Sequence, residues 1–269
     1  MKKITILSVL LIPCISLSAQ NFKIPLGKKM QAIANSNMTM IMNAMGQEIT
    51  VETDNDTNGE YEFKTAGPDG YTMTSIIKNL KTKTTTLGTE IAIDSDNEAD
   101  RNNPAYTEAF KLLNAPTEIT VKDNKATITG AAKDQAYGMG GGLIDNMIDV
   151  TRFVLPGKYL SKLSLGNQWT DSTTNNETSM INEFTVEKNE ANIIVLLVKT
   201  TFTIGTTIKQ MGMEAKALLK GTMNAHRFYD KVSGVLGKED SFGEITGNIE
   251  IMEQAMPITM KIKSTTVIN

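Results

Sequence analysis

Apolar side chains recur at every second residue through most of this chain. That period belongs to a strand with one covered face. Met38, Met40 and Met42 share one side, with Asn37, Thr39 and Asn43 on the other. After Met45-Gly46 the pattern resumes with Ile49 and Val51 against Glu48, Thr50 and Glu52. Pairing Met42 with Ile49 and Met40 with Val51 keeps every apolar group on one side, so the pattern specifies the register. Tyr61 and Phe63 follow. After the turn signal Gly67-Pro68-Asp69-Gly70, Tyr71 and Met73 return on the same face. Lys81–Thr86 and Glu90–Asp94 form a further pair around Leu87-Gly88.

The middle of the chain is read differently. Asn103-Pro104 is a helix start, with Tyr106, Phe110 and Leu113 at helical spacing and Asn114-Ala115-Pro116 as a stop. Asp123-Asn124 predicts a tight hairpin joining Ile119 and Val121 to Ala126 and Ile128. A second helix is expected over Leu143–Leu155, closed by Pro156-Gly157. From Leu163 alternation returns. Ile193–Val198 is continuously apolar, as in a central strand. Asp230–Gly234 reads as a turn, and Ala255-Met256 as a turn bringing Ile249 and Ile251 opposite Ile262 and Met260. Leu26-Gly27-Lys28-Lys29-Met30 resembles Leu165-Gly166-Asn167-Gln168-Trp169, a hint of duplication. The expected fold class is β-dominated α+β: antiparallel meanders in a curved, half-barrel-like sheet with two short helices. The segments are 1–19, a signal peptide; 20–98, an N-terminal β-meander; 99–157, a helix–hairpin–helix insert; and 158–269, a C-terminal β-meander packed with 20–98 as one domain.

The beginning of the chain points out of the cytoplasm. Lys2 and Lys3 precede an apolar run, Ile4 to Leu17, and the small pair Ser18-Ala19 precedes Gln20. That order is the signature of a secretory signal peptide, and the run is too short to span a bilayer. The expected location is the periplasm or cell envelope. Cys14, the single cysteine, follows Leu11-Ile12-Pro13, so a lipid anchor at Cys14 is the alternative to cleavage after Ala19. A cut after Ala19 removes nineteen of the 269 residues and, with Lys2 and Lys3, shifts the formal net charge from −3 to −5. The remainder has no cysteine, so its fold depends on an apolar core. A mildly acidic chain also lacks the clustered positive charge that nucleic acid demands.

Catalytic signals are sparse. His226 is the only histidine, which excludes a histidine-ligated zinc site built by one chain, and no Gly-x-Ser-x-Gly occurs. Gly138–Gly142 lacks the final glycine of a dinucleotide loop, with Leu143 in its place. The reading is therefore non-enzymatic and without a cofactor. One metal candidate stands out: Asp54-Asn55-Asp56-Thr57-Asn58-Gly59 matches the opening of a calcium loop, with Asp54, Asp56 and Asn58 as ligands. Its anchoring glutamate is missing, and a polar hairpin tip between Ile49–Thr53 and Tyr61–Thr65 explains the same residues. Methionine thioethers at Met38, Met40 and Met42 also suit Cu(I), but residues two apart on a strand share a buried face in any case. Trp169, the lone tryptophan, reads as a core plug.

Several features occur together: the Ser-Ala-Gln leader end, Leu26-Gly27 opening the strand of Met30, and the Met-x-Met strand before Met45-Gly46-Gln47. Others are Asp94-Ser95-Asp96, Gly166-x-x-Trp169, the Asp230–Gly234 turn and Met256-Pro257-Ile258-Thr259. Together they resemble a family of uncharacterised secreted β-rich proteins of Bacteroidota envelopes. The resemblance implies an exported β fold and carries no activity.

Two functions follow as expectations. One is an envelope protein binding an apolar or amphipathic small molecule, lined by Met38, Met40, Met42, Tyr61, Phe63, Met73 and the Leu143–Leu155 helix. The alternative is a structural module or one that binds an envelope protein, with a methionine face that is simply core.

Overall fold

The computed structural model describes residues 22–44, 46–130, 148–174, 178–210, 213–251 and 254–269. Its twelve strands are β1 (Lys29–Ala44), β2 (Gln47–Gly67), β3 (Gly70–Thr86), β4 (Thr89–Asp94), β5 (Pro116–Lys122) and β6 (Lys125–Gly130), then β7 (Gln168–Thr174), β8 (Thr178–Asn189), β9 (Ile193–Gln210), β10 (Met213–Asp230), β11 (Leu236–Ile251) and β12 (Gln254–Ile268). They form one antiparallel sheet in the order β6-β5-β3-β2-β1-β12-β11-β10-β9-β8-β7, with β4 paired to β3. β1 joins the two halves by pairing with β12. The sheet curls until its ends approach: Thr173 Oγ1 on β7 donates to Asn124 O of the β5–β6 turn at 2.6 Å. Among the described residues the α-helices are α1 (Glu98–Arg101) and α2 (Thr107–Phe110), the latter continuing a 3-10 turn over Pro104–Tyr106. Asn103 caps that turn, its side chain accepting from Ala105 N.

Most expected registers are observed. Met42 pairs with Ile49, Met40 with Val51, and Gly67 with Gly70. Lys122 pairs with Lys125 around Asp123 and Asn124, both at positive φ as a two-residue hairpin requires. Ile194, Leu196 and Val198 of β9 are fully buried, and so is Val195, which points the other way. The Asp230 carboxylate accepts from Val232 N and Ser233 N, closing the expected turn.

Three expectations are corrected. Asp54–Gly59 is not a hairpin tip; it runs through the interior of the 21-residue β2. Asp54 and Asp56 are fixed there by the Asn37 and Asn35 amides of β1. Of the helix expected over Leu143–Leu155, residues 143–147 and the glycine run 138–142 lie outside the described residues; 148–155 is not helical. It is a buried plug of turns and bends, Arg152 N donating back to Asp149 O, with Val150, Val154 and Leu155 at most 1% exposed. A segment covered on all sides shows apolar residues at helical spacing without being a helix. Finally, Ile249 pairs with Met256 and Ile251 with Gln254, so Ala255-Met256 belongs to β12 and Met260 faces Ile245.

Candidate functional site

Alternation sends one side of every strand inward, and these side chains form two apolar clusters. The first fills one end of the barrel. Phe63, Tyr71, Met73, Trp169, Phe184, Leu196 and Tyr229 pack there under the plug residues Val150, Phe153, Val154, Leu155 and Tyr159. Trp169 stacks between Tyr159 and Phe184 with ring centroids 5.2 and 5.0 Å apart. The second cluster lies towards the opposite end. Met180, Phe202, Ile204, Leu219, Ile245, Ile258 and Met260 are buried, and Met38, Met40, Met42, Met223, Ile249 and Ile262 pack on them half-buried. Between the two, neighbouring inner positions on β3, β2, β1, β12 and β11 are polar. Thr82 Oγ1 donates to Asn55 Oδ1 at 2.9 Å, Asn55 Nδ2 to Ser36 Oγ at 3.5 Å, and Ser264 and Ser241 share a bond of 2.7 Å.

The six lining residues expected from sequence therefore separate. Phe63 and Met73 are at most 1% exposed, and Tyr61 sits beside Phe153 at 5.3 Å between centroids. These three are packing under the plug. Only Met38, Met40 and Met42 stand on the partly open face, with Met223 and Ile262 beside them. The alternation of β10 and β12 marks those two once the order β1-β12-β11-β10 is known, Met223 and Ile262 flanking Gly243 of β11.

The plug is tied to the sheet by a buried ionic network that is not visible in the sequence. Arg227 on β10 donates through Nη1 to Asp149 Oδ2 at 2.8 Å and through Nε to Glu239 Oε2 of β11 at 2.7 Å. It also donates to Thr151 Oγ1 at 2.7 Å, and Tyr229 OH donates to Thr151 O at 2.6 Å. Arg152 Nη2 lies 3.0 Å from Glu239 Oε1, so two cations offset two carboxylates. Burial pushes the Asp149 carboxyl up, but the Arg227 guanidinium and the Thr151 hydroxyl and amide outweigh it and hold it below the ordinary value. Tyr159 OH donates to Asp171 Oδ2; burial and that carboxylate push its phenol well up. Each charge of the network faces an opposite charge within the fold, which makes the network an anchor.

The outer face is mostly polar, with Ile33, Ile41, Ile181, Leu218 and Phe242 as exposed apolar exceptions. Asp54, Asp56, Lys81, Lys83 and Lys263 share a groove of about 860 Å³ with Asn35, Asn37, Asp94 and Asp100. Lys81 Nζ lies 3.0 Å from Asp94 Oδ2, and Lys83 Nζ 2.7 Å from Glu90 Oε2. Asn58 follows on the same exposed row of β2. No group of three or more metal-ligating His, Cys, Asp or Glu occurs among the described residues. His226 is also on the outer face, its Nε2 3.4 Å from Glu187 Oε2, away from both clusters. The charged rows of β2 and β3 on the outer wall differ from the continuous apolar band that a lipid-facing barrel presents. No helix among the described residues is long and apolar enough to cross a membrane.

No family model matches the chain, and no curated protein is significantly similar to it. Among solved structures, one of lipovitellin, described as showing lipid–protein interactions, aligns over 91% of this chain with a TM-score of 0.55 at 10% identity. The likeness is one of fold. This chain spans 25% of the lipovitellin chain. An outer membrane channel of Pseudomonas putida F1 aligns over 93% of this chain and 98% of its own, with a TM-score of 0.27 at 7% identity.

Proposed function

We propose that this chain is an exported, extracytoplasmic binding protein that holds an apolar or amphipathic molecule against the methionine-lined half of its curved sheet. One observation carries the proposal. Met38, Met40, Met42 and Met223 face inward yet remain half-buried, while equivalent positions under the plug are filled. Flexible thioethers adapt to ligands of different shape, and the surrounding side chains offer contact area without a reactive group. A solved structure sharing this fold is of a protein with lipid interactions, which supports an apolar ligand here. The basic start, apolar run and small-residue exit of residues 1–19 support export.

Native mass spectrometry of the protein from its own host provides the test. The expected result is a co-purified lipid-sized adduct in the wild type that Met40→Arg abolishes. Empty spectra, together with identical binding of an anilinonaphthalene sulfonate probe by wild type and Met40→Arg, would overturn the proposal. The methionine face would then be core in a structural or partner-binding envelope module.

A further inference from the structure

The plugged end of the barrel carries a second surface, of different chemistry. Two segments build its rim: residues 22–28, ahead of β1, and residues 157–167, ahead of β7. Lys23 N donates to Val232 O at 2.9 Å, placing the first segment on the Asp230–Gly234 turn. A groove of about 400 Å³ between Phe22, Ile24, Pro68, Gly157 and Lys158 places the second beside it. The segments read FKIPLGK and GKYLSKLSLGN. They hold four lysines and no carboxylate, in a chain whose formal charge is −3.

Gly157–Lys162 forms a 3-10 helix and residues 22–25 do not, but the turns that end the two segments match. Leu26 and Leu165 each precede a glycine at positive φ, 73° for Gly27 and 79° for Gly166. Each glycine N–H donates at 2.9 Å to the strand next to the one it opens, Gly27 to Phe63 O and Gly166 to Val186 O. The turns leave both leucines bare, Leu26 at 54% and Leu165 at 73% exposure, and Val232 at 60% joins them on the rim. Lys23, Lys28, Lys158 and Lys162 are exposed and form no ion pair with a described carboxylate; Lys158 and Lys162 lie 5.1 and 5.5 Å above the Tyr159 ring.

We infer that this rim is an end-on docking surface for an anionic lipid bilayer. Exposed leucines flanked by lysines, with no acid within either segment, match what interfacial anchors present to lipid: hydrocarbon for the acyl boundary and ammonium groups for the headgroups. The strand ends and turns beside the rim add Lys122, Lys125, Lys188 and Lys231 against Asp69, Asp123, Glu190 and Asp230, so with the four rim lysines this tip is net positive and complementary to an anionic surface. Six strands of 16 to 21 residues stand away from the rim, about 50–70 Å long, so docking would turn the methionine cluster towards the aqueous side.

Vesicle flotation of the exported, purified protein tests the inference. Phosphatidylglycerol vesicles are expected to bind it and phosphatidylcholine vesicles not, with binding lost as salt rises. Lys158→Glu with Lys162→Glu, and Leu26→Asp with Leu165→Asp, are each expected to weaken the partition at least about tenfold with unchanged thermal unfolding. If either pair fails to fold, Lys→Gln and Leu→Ser at the same positions replace it. Wild type that ignores phosphatidylglycerol, or folded variants that bind as wild type does, would overturn the inference. Capture by an acidic protein without vesicle binding would do so as well. Met40→Arg is expected to float like wild type, which separates this surface from the inner ligand face.

Discussion

Arg227 and Asp149 meet as a buried ion pair, with Nη1 2.8 Å from Oδ2, across 78 residues of chain. The pair joins the plug to the interior of β10. Breaking a buried pair leaves an uncompensated charge out of water, at a cost of about 3–5 kcal/mol. Arg227→Met strands Asp149, leaves Glu239 to Arg152 alone, and is expected to fall in that range. In a chain of this length it should lower Tm by roughly 10 °C in a thermal scan. Arg227→Met combined with Asp149→Asn and Glu239→Gln should recover part of the loss, because no buried carboxylate is then left uncompensated, and Arg152, which loses Glu239, is partly exposed to water. A triple variant less stable than Arg227→Met would argue against this account.

The same carboxylate gives a pH dependence with a defined sign. Its folded pKa lies below the ordinary 3.8, so its ionised form favours the folded state. That stabilisation is present above about pH 4 and is lost as pH falls through the lower, folded value. Tm should therefore hold from neutral pH to about 5 and drop below 4. Asp149→Asn should begin lower and fall less steeply over the same window. Trp169, 8% exposed in its aromatic stack under the plug, reports the event by fluorescence. Its emission should shift to the red in the same acid range. Parallel Tm curves for wild type and Asp149→Asn would remove the plug from the explanation.

Sheet and register were legible because alternation and turn chemistry act locally. Met42 opposite Ile49 follows from neighbouring residues alone. Asp54–Gly59 misled for a tertiary reason: its turn-forming residues are held extended by the Asn35 and Asn37 amides of β1, 17 to 21 residues away. The plug misled because burial on all sides erases periodicity. Half of the candidate face was legible as Met38, Met40 and Met42. The other half, Met223 and Ile262, joins it only through the β1–β12 pairing that brings the chain's two halves together. Arg227 had no local signal at all, since both of its carboxylate partners come from other elements.

Calcium should leave the protein unchanged. Asp54, Asp56 and Asn58 lie two residues apart on one strand face, about 6.6 Å per step. A calcium ion needs six to eight oxygens at about 2.3–2.6 Å, which an extended segment cannot converge. The Asp54 and Asp56 carboxylates already accept amide bonds of 2.6 and 2.5 Å. Tm measured with calcium and with a chelator should agree within error. A calcium-dependent rise that Asp54→Asn removes would show that these strands rearrange to bind the ion.

Two glycines of β11 should respond in opposite ways to alanine. Gly247 sits on the inner face between Leu219 and Ile258. A Cβ there would lie 2.1 Å from Leu218 O and 2.9 Å from Leu219 Cα. Both are backbone atoms of the neighbouring strand, so relief requires β10 and β11 to part rather than a side chain to rotate. Overpacking of this kind costs about 1–3 kcal/mol, and Gly247→Ala should lower the urea midpoint accordingly. A Cβ at Gly237 on the same strand meets only Phe228 O at 3.7 Å, an ordinary contact. Alanine there restricts the unfolded chain without straining the folded one, so Gly237→Ala should be neutral or stabilising by up to about 1 kcal/mol. The β10–β11 backbone contact at Gly247 would be refuted as the cause if Gly247→Ala unfolded at the wild-type midpoint while Gly237→Ala fell.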